Sequence, residues 1–224
     1  MRIFPIIFML TLFFSCTALG ESTASCHCFQ DREYDPQRAY VADPYFLATT
    51  QNALLANLFG LSKKDVVRAK MGGADGDRLW VGHYLAQKSG KPLGEVKSLF
   101  SDKTSWSAVV QQLKIDPERL DPRFMAVLDD QHKLAMVVVD EQLAAHLDLG
   151  PLQLQRLREE GADNQQTILA VFIGQSNPLE AVELFTRVTE MKTSWGGLLA
   201  EQGLFNGSQI EDKWRQLLGK NLEK

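Results

Sequence analysis

Apolar positions recur at helical spacing through most of the chain. Phe46, Leu47, Leu54, Leu55, Leu58 and Phe59 form a broad stripe, and Gly60 follows where a left-handed residue can close a helix. Asp43-Pro44 opens that helix with a cap acceptor and a first-turn proline. Ser62-Lys63-Lys64-Asp65 approximates a capping box, so a short helix runs to about Lys70 before Met71-Gly72-Gly73 breaks it. Asp75 caps a helix carrying Leu79, Trp80, Val81, Tyr84 and Leu85, and Gly90 lies past its end. Pro92 starts another, with Leu93, Val96, Leu99 and Phe100. Thr104 or Ser105 caps one bearing Trp106, Val109, Val110 and Leu113, and Asp116-Pro117 begins a last turn.

The grammar then restarts. A long leading segment, Pro122 to His146, contains the β-branched run Met136-Val137-Val138-Val139, for which a short strand is weighed and rejected. Helices are expected at Leu149–Glu160, Gln165–Gln175, Pro178–Thr189 and Ser194–Glu201. A terminal amphipathic helix presents Ile210, Trp214, Leu217 and Leu218 on one face.

Short identities tie the two runs together. Lys103-Thr104-Ser105-Trp106 returns as Lys192-Thr193-Ser194-Trp195, displaced by 89 positions, and Gly73-Ala74-Asp75 returns as Gly161-Ala162-Asp163, displaced by 88. Pro92-Leu93 pairs with Pro178-Leu179, Leu99-Phe100 with Leu184-Phe185, and Asp43-Pro44-Tyr45-Phe46 with Asp121-Pro122-Arg123-Phe124, at 86, 85 and 78. The changing displacement calls for short insertions, the largest about ten residues before Leu149. The expected fold is therefore all-α: two tandem copies of helical hairpins, residues 43–120 and 121–218, stacked as a solenoid or compact bundle, with a tail at 219–224. The glycine turn plus Ser-Trp helix start resembles the short helical repeats of uncharacterised exported bacterial proteins. That resemblance spans most of residues 43–199 and implies no activity.

The first twenty residues are different material. Arg2 precedes Ile3 to Phe14, apolar except for Thr11, and Ala18-Leu19-Gly20 follows. This is the pattern of a secretory signal peptide, shorter than the ~20 apolar residues of a comfortable membrane span. Phe13-Phe14-Ser15-Cys16 resembles a lipobox with Phe where Leu is usual. Lipid attachment at Cys16 is the alternative to a cysteine discarded with the signal. Either reading places the protein outside the cytoplasmic membrane, in the periplasm or secreted, with lipid as its one route to a membrane.

Residues 21–42 read as an extended arm. Cys26-His27-Cys28 are the remaining cysteines and their neighbour, and an oxidising compartment favours a disulfide between Cys26 and Cys28 or to another chain. A metal or redox site there would lack the second ligand cluster that Zn2+ needs.

Of 224 residues, 45% are hydrophobic and 23% charged, as in ordinary globular domains, and the net charge of −4 gives nucleic acid no electrostatic purchase. Asp75-Gly76-Asp77 lacks the further ligands of a calcium loop, and its counterpart Asp163-Asn164-Gln165 loses the second carboxylate. His27, His83, His132 and His146 fit no zinc-binding spacing, and nucleophile-elbow and Walker motifs are absent. Asn206-Gly207-Ser208 is a formal glycosylation sequon. No cofactor is expected. The expected function is a non-catalytic interaction or envelope-associated module with another envelope protein as partner; the alternative is a small redox or metal-handling protein using Cys26, His27 and Cys28. A periplasmic hydrolase would show a polar pocket shared by the halves.

Overall fold

Side chains able to accept a hydrogen bond stand at most of the helix starts, and they do so in the computed structural model of the chain, which describes residues 29–100, 104–147 and 149–219. Among these residues the fold is all-helical, with twelve α-helices. They are α1 (Asp43–Leu58), α2 (Lys63–Met71), α3 (Gly76–Ser89), α4 (Leu93–Ser98), α5 (Trp106–Leu113), α6 (Pro122–Ala126), α7 (Gln131–Leu147), α8 (Pro151–Glu159), α9 (Asn164–Gly174), α10 (Ala181–Thr189), α11 (Trp195–Ala200) and α12 (Gly207–Gly219). The Met136–Val139 run lies inside α7, as expected.

Ser62, Asp75, Ser105 and Ser194 each accept the N–H three residues on, at 2.9–3.2 Å. Asp163 and Gln166 form a full capping box, at 2.8 and 3.0 Å. Helix ends are equally alike. Gly73 (φ 89°) and Gly161 (φ 87°) both take the left-handed conformation, and the next N–H reaches back five residues, Ala74 to Ala69 and Ala162 to Leu157, at 3.0 Å in each case. Met191 makes the same closure after α10 with φ 57° and no glycine.

Two expectations are corrected. The Pro122–His146 segment is two helices, α6 and α7, because Asp130 caps the N–H of Lys133 (3.1 Å) and restarts the helix. Asp43 is the first residue of α1, after the N-cap Ala42, and its buried carboxylate caps a helix far away in sequence. It accepts the N–H groups of Trp195 (3.1 Å) and Gly196 (2.8 Å). Asn206 accepts the N–H of Gln209 (3.2 Å) and the hydroxyl of Ser208 (2.7 Å), so it caps α12.

The displacement between the two runs is steadier than the sequence identities suggest. Helices α1 to α5 begin at 43, 63, 76, 93 and 106, and α7 to α11 at 131, 151, 164, 181 and 195, an offset of 88 or 89 throughout. Buried positions follow the same offset: Phe46 and Leu134, Leu55 and Leu143, Val66 and Leu154, Tyr84 and Phe172, Val96 and Leu184, Trp106 and Trp195. The identities at 86, 85 and 78 are slips of register. Pro178-Leu179 precedes α10, and Asp121-Pro122 opens α6, which has no counterpart among the helices before α1, so these identities fall out of step with the helix starts.

The leading helices are exchanged. Helix α1 packs on α9 and α7 on α3, so each crosses to the other half. Tyr84 of α3 fixes the second contact by donating to Glu141 Oε2 (2.7 Å), whose other oxygen takes Lys88 (2.8 Å). Helix α12 lies along α1, burying Ile210 and Trp214, the latter against Phe172 with ring centroids 4.8 Å apart. Phe124 of α6 meets Tyr84 in the same way, at 5.1 Å. Each such side chain taken from water contributes about 1.5–3 kcal/mol. Residues 29–42 rest on the second half: a Cβ on Gly196 would come within 2.8 Å of Tyr34 Cδ2, and the Tyr40 hydroxyl donates to the Met191 carbonyl (2.9 Å).

Candidate functional site

The exchange leaves a polar seam between the halves. Lys70, near the end of α2, turns its ammonium inward to Asn52 Oδ1 (2.7 Å) and Gln51 Oε1 (3.1 Å) on α1. Burial pushes the amine down to about 8, against the pull of Asp77 and Asp75. The residue 88 positions on is Arg158, near the end of α8. Its Nη2 donates to Asp140 Oδ1 (2.8 Å) and Asn164 Oδ1 (2.8 Å), and Nη1 to the Ala162 carbonyl (3.0 Å). Asp140 itself is the offset partner of Asn52. Desolvation raises the Asp140 carboxyl, and the Arg158 charge opposes that shift.

Four contacts stitch the two ends together. Asn164 Nδ2 donates to Asp77 Oδ1 (3.2 Å), Gln165 Nε2 to Gln51 Oε1 (3.2 Å) and Gln131 Nε2 to Asp75 Oδ1 (2.9 Å). His132 Nδ1 lies 2.8 Å from Asp77 Oδ2. Asp75 is thus a helix cap, and Asp75 and Asp77 both link the halves. Among the described residues no group of three His, Cys, Asp or Glu side chains is placed to hold a metal ion. The hydrolase reading asks for a polar pocket in this place. The seam is polar, but its groups are engaged with one another, and Lys70, Asp140 and Arg158 line none of the three clefts described next.

The clefts lie on the flanks. One of 530 Å³ runs between α2 and α12, past Lys63, Lys64, Glu211 and Arg215. Lys63 is lowered by burial, with Glu211 raising it in part. A cleft of 240 Å³ lies between the end of α9 and the start of α10. The third, 360 Å³, opens between the Gly72–Asp75 turn, α3 and α4, with Leu79, Gly82, Leu93, Val96 and Phe100 as its apolar wall. Behind its wall His83 is buried and stacked on Phe59 (5.3 Å), and burial, then Lys97, holds it down at about 4. It is a packing residue.

Cys16, Cys26, His27 and Cys28, the residues singled out for lipid, disulfide, metal or redox chemistry, lie outside the described residues. The sequence reading missed Lys70, Arg158, Asn52 and Asp140. The signal that finds them is the 88-residue offset applied to polar positions. Among the described residues no helix is long and apolar enough to cross a membrane. No family model, curated protein or solved structure matches this chain.

Proposed function

We propose that this is an exported, non-catalytic helical-repeat protein, two copies of one five-helix set, that works as an interaction module in the cell envelope. The constant offset of helices and buried positions supports the duplication. Internal pairing of the seam supports a structural use of its charges.

The observation that carries the interaction reading is Met191. Its left-handed backbone costs a non-glycine residue on the order of 1 kcal/mol, yet the position holds an apolar side chain that is 72% exposed. Tyr40 bonds to its carbonyl, and Tyr40 and Val41 are themselves 42% and 46% exposed. Three exposed apolar side chains, two of them joined by the Tyr40–Met191 hydrogen bond, support a contact surface for another protein here.

Photo-crosslinking from position 191 of the full chain, in its own cells, tests this. One discrete protein adduct that weakens with Tyr40→Ala is the expected result. Adducts no different from those formed at the exposed position Glu159 would contradict it. Thiol titration with metal analysis of the mature chain separates the redox or metal reading, which requires a free Cys26–Cys28 pair or stoichiometric metal.

A further inference from the structure

We infer that the cleft between α3 and α4 is a binding site for a small apolar monocarboxylate, an aryl or branched-alkyl acid. This goes beyond the protein-contact reading and does not depend on it.

The second half shows what the cleft lacks. At the offset positions Gly82 becomes Ala170, Val96 becomes Leu184 and Lys97 becomes Phe185, all three of the second-half residues being buried. Helix α10 has nine residues and packs on both α8 and α9, whereas α4 has six and its main packing is on α3. The second half therefore seats a phenyl ring of its own at this junction. The first half places a lysine there and leaves a 360 Å³ cleft lined by Leu79, Gly82, Leu93 and Phe100, a volume in the range of small-molecule sites.

Charge selects the other end of the ligand. Arg78 and Lys97 both line the cleft, and neither takes part in any ion pair among the described residues. Arg78 instead lies over the Phe100 ring, 5.4 Å from its centroid. Asp75 also lines the cleft, with its Oδ1 accepting the N–H of Arg78 and the amide of Gln131, so two cations stand beside one carboxylate and the lining keeps a net positive charge. Two cations at the mouth of an apolar slot fit one carboxylate with an apolar body. A cation of the same shape would meet a lining of net positive charge, and a neutral alcohol would give Arg78 and Lys97 no counter-charge.

The test uses the full mature chain and three probes of one shape: 3-phenylpropionate, 3-phenylpropanol and 3-phenylpropylamine, titrated by NMR. The expected result is saturable binding of the carboxylate, with shifts at Leu79, Gly82, Val96 and Phe100, and binding of the alcohol and amine at least about tenfold weaker. Arg78→Gln, an exposed change that leaves the core intact, should weaken the carboxylate about tenfold. Lys97→Phe, which imports the second half's residue, should abolish binding while raising or preserving the melting temperature. No saturable carboxylate binding would overturn the inference. So would equal binding of all three probes, shifts mapping elsewhere, or affinity indifferent to both substitutions in folded protein.

Discussion

The two halves carry the same scaffold and answer the same problem differently at its centre. Each sends a long cation from the end of its second helix into the seam. In the second half that cation is Arg158, which makes two contacts to the Asp140 carboxylate and one each to the Ala162 carbonyl and Asn164 Oδ1. In the first half it is Lys70, facing only the neutral amides of Asn52 and Gln51 at hydrogen-bond distance. Burial of a charge is tolerable when an opposite charge and enough acceptors replace water. Arg158 has both. Lys70 has acceptors without a paired counter-charge, and its ammonium is correspondingly depressed. One position can therefore serve as a rigid clamp in one half and a pH-sensitive strut in the other.

The largest effect expected from this contrast is its asymmetry under deletion. Arg158→Ala strands the Asp140 carboxylate in the seam and should destabilise the protein by about 3–5 kcal/mol in urea unfolding. Lys70→Ala removes the disfavoured charge itself and leaves only amides, which can bond to each other or to water, so about 1 kcal/mol is expected. Equal losses would erase the distinction.

Next comes pH. The folded Lys70 amine titrates at about 8 against an ordinary 10.5, so below pH 8 it is charged in both states and its burial cost is fully present. Between about 8 and 10.5 the unfolded chain binds the extra proton, and stability rises with pH, by on the order of 3 kcal/mol across that window and about 2 kcal/mol by pH 9.5. Tyr84, raised by burial and by its bond to Glu141, opposes this only above its ordinary value of 10. Urea melts at pH 7, 8 and 9.5 should show the rise. The double substitution Asn52→Asp with Lys70→Arg, which copies the second half, should flatten it.

Gly196 gives an intermediate effect. Its offset counterpart is Ser107, yet only Gly196 lies under the N-terminal segment, where a Cβ would meet Tyr34 at 2.8 Å and Phe46 at 3.1 Å. Gly196→Ala should cost about 1–3 kcal/mol, with Ser107→Ala near neutral, both read from thermal melts. The smallest effect is Met191→Gly, which relieves the left-handed backbone and should stabilise by about 1 kcal/mol while weakening any crosslinked contact. No gain in stability would remove the argument that this residue is kept for its surface.

Much of the helical frame was legible in sequence because it is written locally. Ser62, Asp75, Ser105, Asp163 and Ser194 cap helices within three residues of themselves, and apolar stripes need only the helical period. Register was not local. Pro92-Leu93 and Pro178-Leu179 look alike but stand at different distances from their helices, so matching them bent a constant offset of 88 into a drifting one. Asp43 looked like an N-cap because its true partners, Trp195 and Gly196, are about 150 residues away. Lys70 and Arg158 were invisible to a periodicity that assigns charges to the outside. The cleft over Gly82 depends on how far α4 reaches across α3, which no spacing rule encodes.

Exchange of the leading helices is what makes two similar halves one molecule, and severing them tests it directly. Residues 21–120 and 121–224, produced as separate chains, should each lack a cooperative thermal transition, because α1 and α7 would lose their partners α9 and α3. Mixed in equal amounts, they should recover the helicity and melting transition of the intact protein. A cooperative melt from either chain alone would mean that each half closes on itself, and the interlocked arrangement would be wrong.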